Sequence, residues 1–155
     1  DADDTTFMDA WNKVVQVNLN ATALISKKAV NHFRQRGGGI LINVSSRAAH
    51  RGDTADYLAY AASKAGVAAL TKSIARAYGK QKIAAFTIAP GFTRTEMAEE
   101  FIAKYGESFV KDDLAWHELT EPRNLAPLIT LLASGLANHA TGATFDINAG
   151  SYIRP

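Results

Sequence analysis

Ile40-Leu41-Ile42-Asn43-Val44 is a short, nearly continuous apolar run, the pattern of a strand buried on both faces. Gly37-Gly38-Gly39 precedes it and Ser45-Ser46 follows. Upstream, over residues 6–36, Trp11, Val14, Val15, Leu19, Leu24, Ile25, Ala29 and Phe33 recur mostly at three- and four-residue spacing. That spacing predicts a mostly helical stretch with Gly37 as its stop. Downstream, a polar loop over 47–56 leads into a second helix over about 57–80. Its stripe is Val67, Leu70, Ile74 and Ala77 or Tyr78, and its alanines permit close helix packing. Residues 83–89 form another buried strand, stopped by Pro90-Gly91.

Residues 95–105 then read as an amphipathic helix and 106–121 as a mixed segment of weak periodicity. A helix follows over about 125–134, its start ambiguous because Pro122 and Pro127 compete for first-turn positions. Thr144-Phe145-Asp146-Ile147-Asn148 alternates as a half-exposed edge strand does. The order α-β-α-β-α-α-β implies an α/β fold with a parallel sheet and helical crossovers. It reads as one segment, 1–155, the later part of a doubly wound, Rossmann-type sheet with helices on both faces.

Composition narrows the function. The 155 residues are 47% hydrophobic, which argues for a globular core. A formal charge of +2 is too small to suggest a nucleic-acid binder. Cysteine is absent, so disulfides and thiolate metal sites are excluded, and no metal is expected. The absence of a long apolar run and of a basic leader leads to the expectation of a cytoplasmic protein that does not enter membranes.

Tyr60-Ala61-Ala62-Ser63-Lys64 carries the chemistry. Tyr60 and Lys64 are i and i+4, so phenol and ammonium leave one helix face together. A nearby cation lowers a phenol's pKa from about 10, as proton exchange with a hydroxyl or carbonyl requires. Ser46, from the preceding strand end, would complete a proton-transfer site. His50 and Arg51 flank it, where a basic pair could receive an acidic or phosphate-bearing substrate. The blander expectation is that Arg47 and Arg51 pair with Asp53 and Asp56 at the surface. A serine hydrolase using Ser46 and His50 is a weaker alternative, since no G-x-S-x-G elbow is present.

Taken together, Asn18-Leu19-Asn20-Ala21, Asn43-Val44-Ser45-Ser46, Tyr60 to Lys64, Pro90-Gly91-Phe92-Thr93-Arg94-Thr95 and Thr141-Gly142 resemble the short-chain dehydrogenase/reductase family. Within it, the look is that of the 3-oxoacyl-[acyl-carrier-protein] reductase group. The resemblance implies an oxidoreductase moving hydride between NAD or NADP and a small carbonyl or alcohol substrate. Tyr60 would be the acid/base, Lys64 would lower its pKa and bind the nicotinamide ribose, and Ser46 would hold the substrate oxygen. Asn18 would order a relay water. Thr93 and Thr95, with Pro90 and Gly91, would hold the nicotinamide carboxamide, although Thr95 also suits a helix N-cap.

The resemblance further implies a homo-oligomer, a dimer or tetramer, built on the long helices. It also implies a lid over residues 96–116, bearing Met97, Phe101, Tyr105, Phe109 and Trp116; simple packing of that stretch is the alternative. Ala21 and Phe86 depart from the family's usual glycine and asparagine. The family's glycine-rich phosphate loop is not in this sequence, and Gly37-Gly38-Gly39 precedes a strand rather than a helix. The expectation is therefore the carboxyl-terminal portion of a longer enzyme, binding dinucleotide poorly by itself. A non-catalytic assembly module derived from such an enzyme is the competing possibility.

Overall fold

The computed structural model describes residues 3–155, apart from the side chains of Met97, Glu100, Phe101 and Tyr105. The opening helical stretch is in three pieces. Helix α1, Asp4–Val15, is capped by Asp3, whose carboxylate accepts from the Thr6 N–H at 2.8 Å. A π-helical turn, Gln16–Asn20, joins it to α2, Ala21–Arg36. Gly37, at φ 81°, ends α2 in the left-handed conformation that glycine adopts freely. The expected apolar stripe is partly displaced: Ser26 and Val30 are buried, whereas Leu24 and Ile25 are exposed. An apolar count does not reveal which face meets the sheet, and here small Ser26 lies on it.

Strands β1 (Gly39–Val44), β2 (Ile83–Pro90) and β3 (Thr144–Ile147) form a parallel sheet in that order. Gly39 pairs with Ile83 through to Val44 with Ile88, and Thr87 with Thr144 through to Pro90 with Ile147. Central β2 is buried from Ile83 to Ala89. Leu41 of β1 packs on one core and Ile40 and Ile42 on the other, as expected of a strand covered on both faces, but β1 is only half-buried over most of its length and Val44 is exposed. Among the described residues it has a neighbouring strand on one side only, so water reaches its outer edge.

Side chains alternate across β2 and make two cores. Ile83 and Ala85 pack with Val30, Ile74 and Ala75 beneath α2 and helix α4, Leu58–Tyr78. Ala84, Phe86 and Ile88 pack with Leu132 of helix α7, Pro122–Ala133, on the other face. Phe86 is fully buried, its ring 6.3 Å from that of Phe145, so apolar packing occupies this position. Of the residues expected on the α4 stripe, Val67 and Ile74 are buried, while Ala77 is exposed.

The segment read as a polar loop and the one read as mixed, of weak periodicity, each contain a short helix: α3, Ala48–Arg51, and α6, Glu107–Lys111. Between β2 and α6 lies α5, Glu96–Tyr105. α7 starts earlier than its periodicity suggests, because Pro122 takes the first position and the Asn124 side chain accepts from the Glu121 N–H at 2.6 Å. No helix among the described residues is long and apolar enough to cross a membrane.

Two glycines make opposite predictions. A Cβ on Gly91 would lie 2.7 Å from both the Cα and the Cβ of Asn148, where backbone must move. Gly91→Ala is expected to destabilise by about 1–3 kcal/mol. Gly79 has right-handed helical angles and open space around it, so Gly79→Ala should stabilise by roughly 0.4–1 kcal/mol. Denaturant unfolding of the two variants checks both signs.

Candidate active site

The parallel sheet brings the carboxyl ends of β1 and β2 together, the edge where doubly wound folds place ligands. β1 delivers Ser45 and Ser46 there, and the second turn of α4 delivers Lys64. The Ser45 hydroxyl donates to the Lys64 carbonyl at 2.7 Å, and Lys64 Nζ donates to the Val44 carbonyl at 3.1 Å. These reciprocal bonds fix α4 against the strand end. Lys64 Nζ lies 5.8 Å from the centre of the Tyr60 ring. Burial pushes the Lys64 ammonium below its ordinary pKa. Ser46 is buried and its Oγ accepts from the Ala48 N–H at 3.2 Å, leaving its own O–H as a donor.

Asn18 sits in the π-helical turn. Its Nδ2 donates to Ser63 Oγ at 3.2 Å, and Ser63 donates to the Tyr60 carbonyl at 2.7 Å. Asn18 is thus coupled to the turn that carries Tyr60, through a serine the sequence reading passed over. The available signal was its position three residues after Tyr60, one helical turn on. Ala21 has right-handed helical angles, which a Cβ tolerates.

Pro90 ends β2, and its carbonyl accepts from the Arg47 N–H at 2.9 Å, tying the Ser46 turn to Pro90-Gly91. Thr93 Oγ1 donates to the Gly91 carbonyl at 3.3 Å, and the Thr95 side chain caps α5 by accepting from the Ala98 N–H at 3.4 Å. The donor set suits the nicotinamide-ribose end of a dinucleotide: an ammonium and a phenol on one side, a hydroxyl-bearing turn on the other. Among the described residues no three or more His, Cys, Asp or Glu side chains cluster as metal ligands. Ser46 has no hydrogen bond to His50 among the described residues. Burial, then the Arg154 charge, pushes the His50 imidazole below its ordinary pKa. A serine-histidine nucleophile is not assembled.

Arg47 and Arg51 meet Asp113, not Asp53 and Asp56, at 2.8 and 3.4 Å. The chain folds α6 back over the site, bringing in a carboxylate that sequence proximity did not suggest. Arg94 is a second hub. Its guanidinium lies 2.7 Å from Glu99 of α5, 2.9 Å from Glu107 of α6 and 3.7 Å from Glu121 before α7. The Glu99 contact is ionic, since the Nε–H is not aligned for a hydrogen bond. Val110, Leu114 and Leu119 pack under the same segment with Phe92 and Ile102, while Phe109 and Trp116 are exposed. Of the other residues expected on the lid, the Met97, Phe101 and Tyr105 side chains lie outside the described residues.

A family model described as enoyl-(acyl carrier protein) reductase matches residues 3–151. The chain belongs to the short-chain dehydrogenase/reductase family. Within this family it is 33% identical to the 3-oxoacyl-[acyl-carrier-protein] reductase FabG of Vibrio harveyi, over 94% of this chain and 59% of that protein. It is 32% identical to the human (3R)-3-hydroxyacyl-CoA dehydrogenase, over 94% of this chain and 55% of the relative. A solved 4-hydroxyisoleucine dehydrogenase complexed with NADH superposes with a TM-score of 0.88 at 30% identity, over 95% of this chain and 61% of that one. The chain spans under two thirds of the length of these relatives.

Glu107 is held below the ordinary carboxylate pKa, first by the Lys111 hydrogen bond and then by Arg94. A depressed carboxylate contributes stability above its unfolded pKa that is lost as pH falls through the folded value. Arg94→Met, or acidification from pH 7 to below 4, should therefore loosen α5 and α6. Lower protection factors in residues 96–111, each referred to the intrinsic exchange rate at that pH, with unchanged protection in β2, are the expected result.

Proposed function

We propose that this chain carries the proton-handling and substrate-facing part of an NAD- or NADP-dependent oxidoreductase that interconverts a carbonyl and a hydroxyl. The observation that carries this reading is the meeting of the Tyr60–Lys64 helix face with the Ser46 strand end, locked by the Ser45–Lys64 bond. Relatives named as a 3-oxoacyl reductase and a 3-hydroxyacyl dehydrogenase support a carbonyl/hydroxyl pair.

When bound, the dinucleotide supplies or accepts the hydride. Tyr60 protonates the carbonyl oxygen in reduction and takes the hydroxyl proton in oxidation. The Ser46 hydroxyl donates to the same oxygen and fixes its distance from the phenol. Lys64 stabilises the phenolate and, with Tyr60, holds the nicotinamide ribose. Thr93, Thr95 and the Pro90-Gly91 turn hold the carboxamide. Asn18 orders a water that carries protons between Lys64 and bulk. The pyrophosphate would be held at a glycine-rich turn opening a helix, a feature not present among the described residues.

Tyr60→Phe, in protein competent to bind the dinucleotide, should lower kcat by about 10²–10⁴-fold while dinucleotide affinity stays within about twofold. Undiminished turnover would remove the tyrosine from the mechanism.

Exposed Val17, Leu24 and Ile25 on the first helices support a homo-oligomer in which this face is covered by a second copy. Sedimentation at micromolar concentration should give a dimer or larger, and Ile25→Asp should shift it toward monomer. A wild-type monomer would contradict the assembly.

A further inference from the structure

Beside Ser46, two arginines share one carboxylate oxygen. Arg47 Nη1 and Arg51 Nη1 lie 2.8 and 3.4 Å from the same Asp113 Oδ2. The Arg47 side chain is only 13% exposed, against 49% for Asp113. Burial first, and the Arg51 charge second, push the Arg47 guanidinium below its ordinary pKa, while Asp113 and then Asp53 act in the opposite sense. Nearby His50 is held toward its neutral form, so it adds little charge. The cluster therefore brings two guanidiniums to a single carboxylate oxygen. Each guanidinium has five N–H donors in a planar fork, a geometry that matches a carboxylate edge-on. Asp113 engages one Nη of each.

The place of this pair matters as much as its charge. Arg47 follows Ser46 directly, and adjacent Cα atoms are about 3.8 Å apart. Its N–H is bound to the Pro90 carbonyl, so the pair is anchored to the same sheet edge as the proton-transfer residues. An anion gripped here and a carbonyl held by Ser46 would be bound by side chains of neighbouring residues.

We infer that Arg47 and Arg51 bind a carboxylate on the substrate, a short oxo or hydroxy acid, and that Asp113 is a resident counter-ion which this carboxylate displaces. The reacting carbonyl in this statement rests on the oxidoreductase reading, whereas recognition of the anion requires no hydride transfer. The competing explanation is a purely structural latch between α3 and the segment after α6. In a latch, removing either partner costs stability and leaves anion binding unaffected. In a counter-ion arrangement, the two partners act with opposite sign on the anion.

Titration calorimetry of the 155-residue chain with acetoacetate, acetone and inorganic phosphate separates these cases. Arg47→Met should weaken acetoacetate binding by about tenfold or more, the scale of one charge-assisted hydrogen bond. Arg51→Met, at the more exposed position, should weaken it less and keeps the test open if the first variant misfolds. Asp113→Asn should tighten acetoacetate several-fold. Acetone should not bind measurably, and phosphate should bind more weakly than acetoacetate. Equal acetoacetate affinity in all variants, weaker binding by Asp113→Asn, or a preference for phosphate would overturn the assignment. Arginine-dependent acetoacetate binding without any reduction by the dinucleotide-competent protein would count against the oxidoreductase reading alone. Reduction that ignores both arginines would count against this inference alone.

Discussion

The Ser45 hydroxyl and the Lys64 carbonyl, 2.7 Å apart, join the end of a strand to the second turn of a helix. A carbonyl this close to a helix start already serves the intrahelical ladder, so the serine uses its second lone pair. The cost is small and the constraint is strong. Once that bond and its reciprocal from Lys64 to Val44 are made, α4 cannot slide along β1 without breaking both. Tyr60, one turn earlier, inherits its position from them. Asn18 reaches the same turn from the opposite side through Ser63. The helix that bears the chemistry is therefore held from the sheet and from the preceding helices at once.

Much of this arrangement was legible in the sequence because it depends on local pattern. Continuous apolar runs bounded by glycine and proline gave β1 and β2 nearly to the residue, and Gly37 gave the end of α2. Tyr60 and Lys64 share a helix face by spacing alone. What the sequence hid depends on distant partners. Asp113 lies 66 residues from Arg47, so the nearer Asp53 and Asp56 looked like better matches. Five-residue α6 is too short to show a period. The exposure of Leu24 and Ile25 follows from the direction of tertiary packing, on which hydrophobicity is silent. β1 is covered on both faces, as its interior-strand composition suggests, but composition does not show that only one of its edges is paired among the described residues.

Charge divides the site region into two functions. Arg94 is surrounded by three glutamates and gathers α5, α6 and the start of α7. Such half-exposed pairs are individually weak, but a hub reaching three segments restricts their relative motion more than one pair does. Arg47 and Arg51 share one oxygen of Asp113, with Asp53 a lesser influence on Arg47, and Arg47 is nearly enclosed. The first arrangement ties three segments together; the second presents the two forks to which the inferred carboxylate would bind.

The π-helical turn at Gln16–Asn20 sets one residue more into the long N-terminal helix than the α-helical ladder needs. The wider turn absorbs that residue, so the faces of α1 and α2 stay nearly in register across it. Asn18 lies within this turn, its side chain reaching Ser63 and its carbonyl accepting from the Thr22 hydroxyl. Deleting a residue there would restore an ordinary ladder at little cost to the helix. It would also disturb the side chain that ties this helix to the turn of Tyr60.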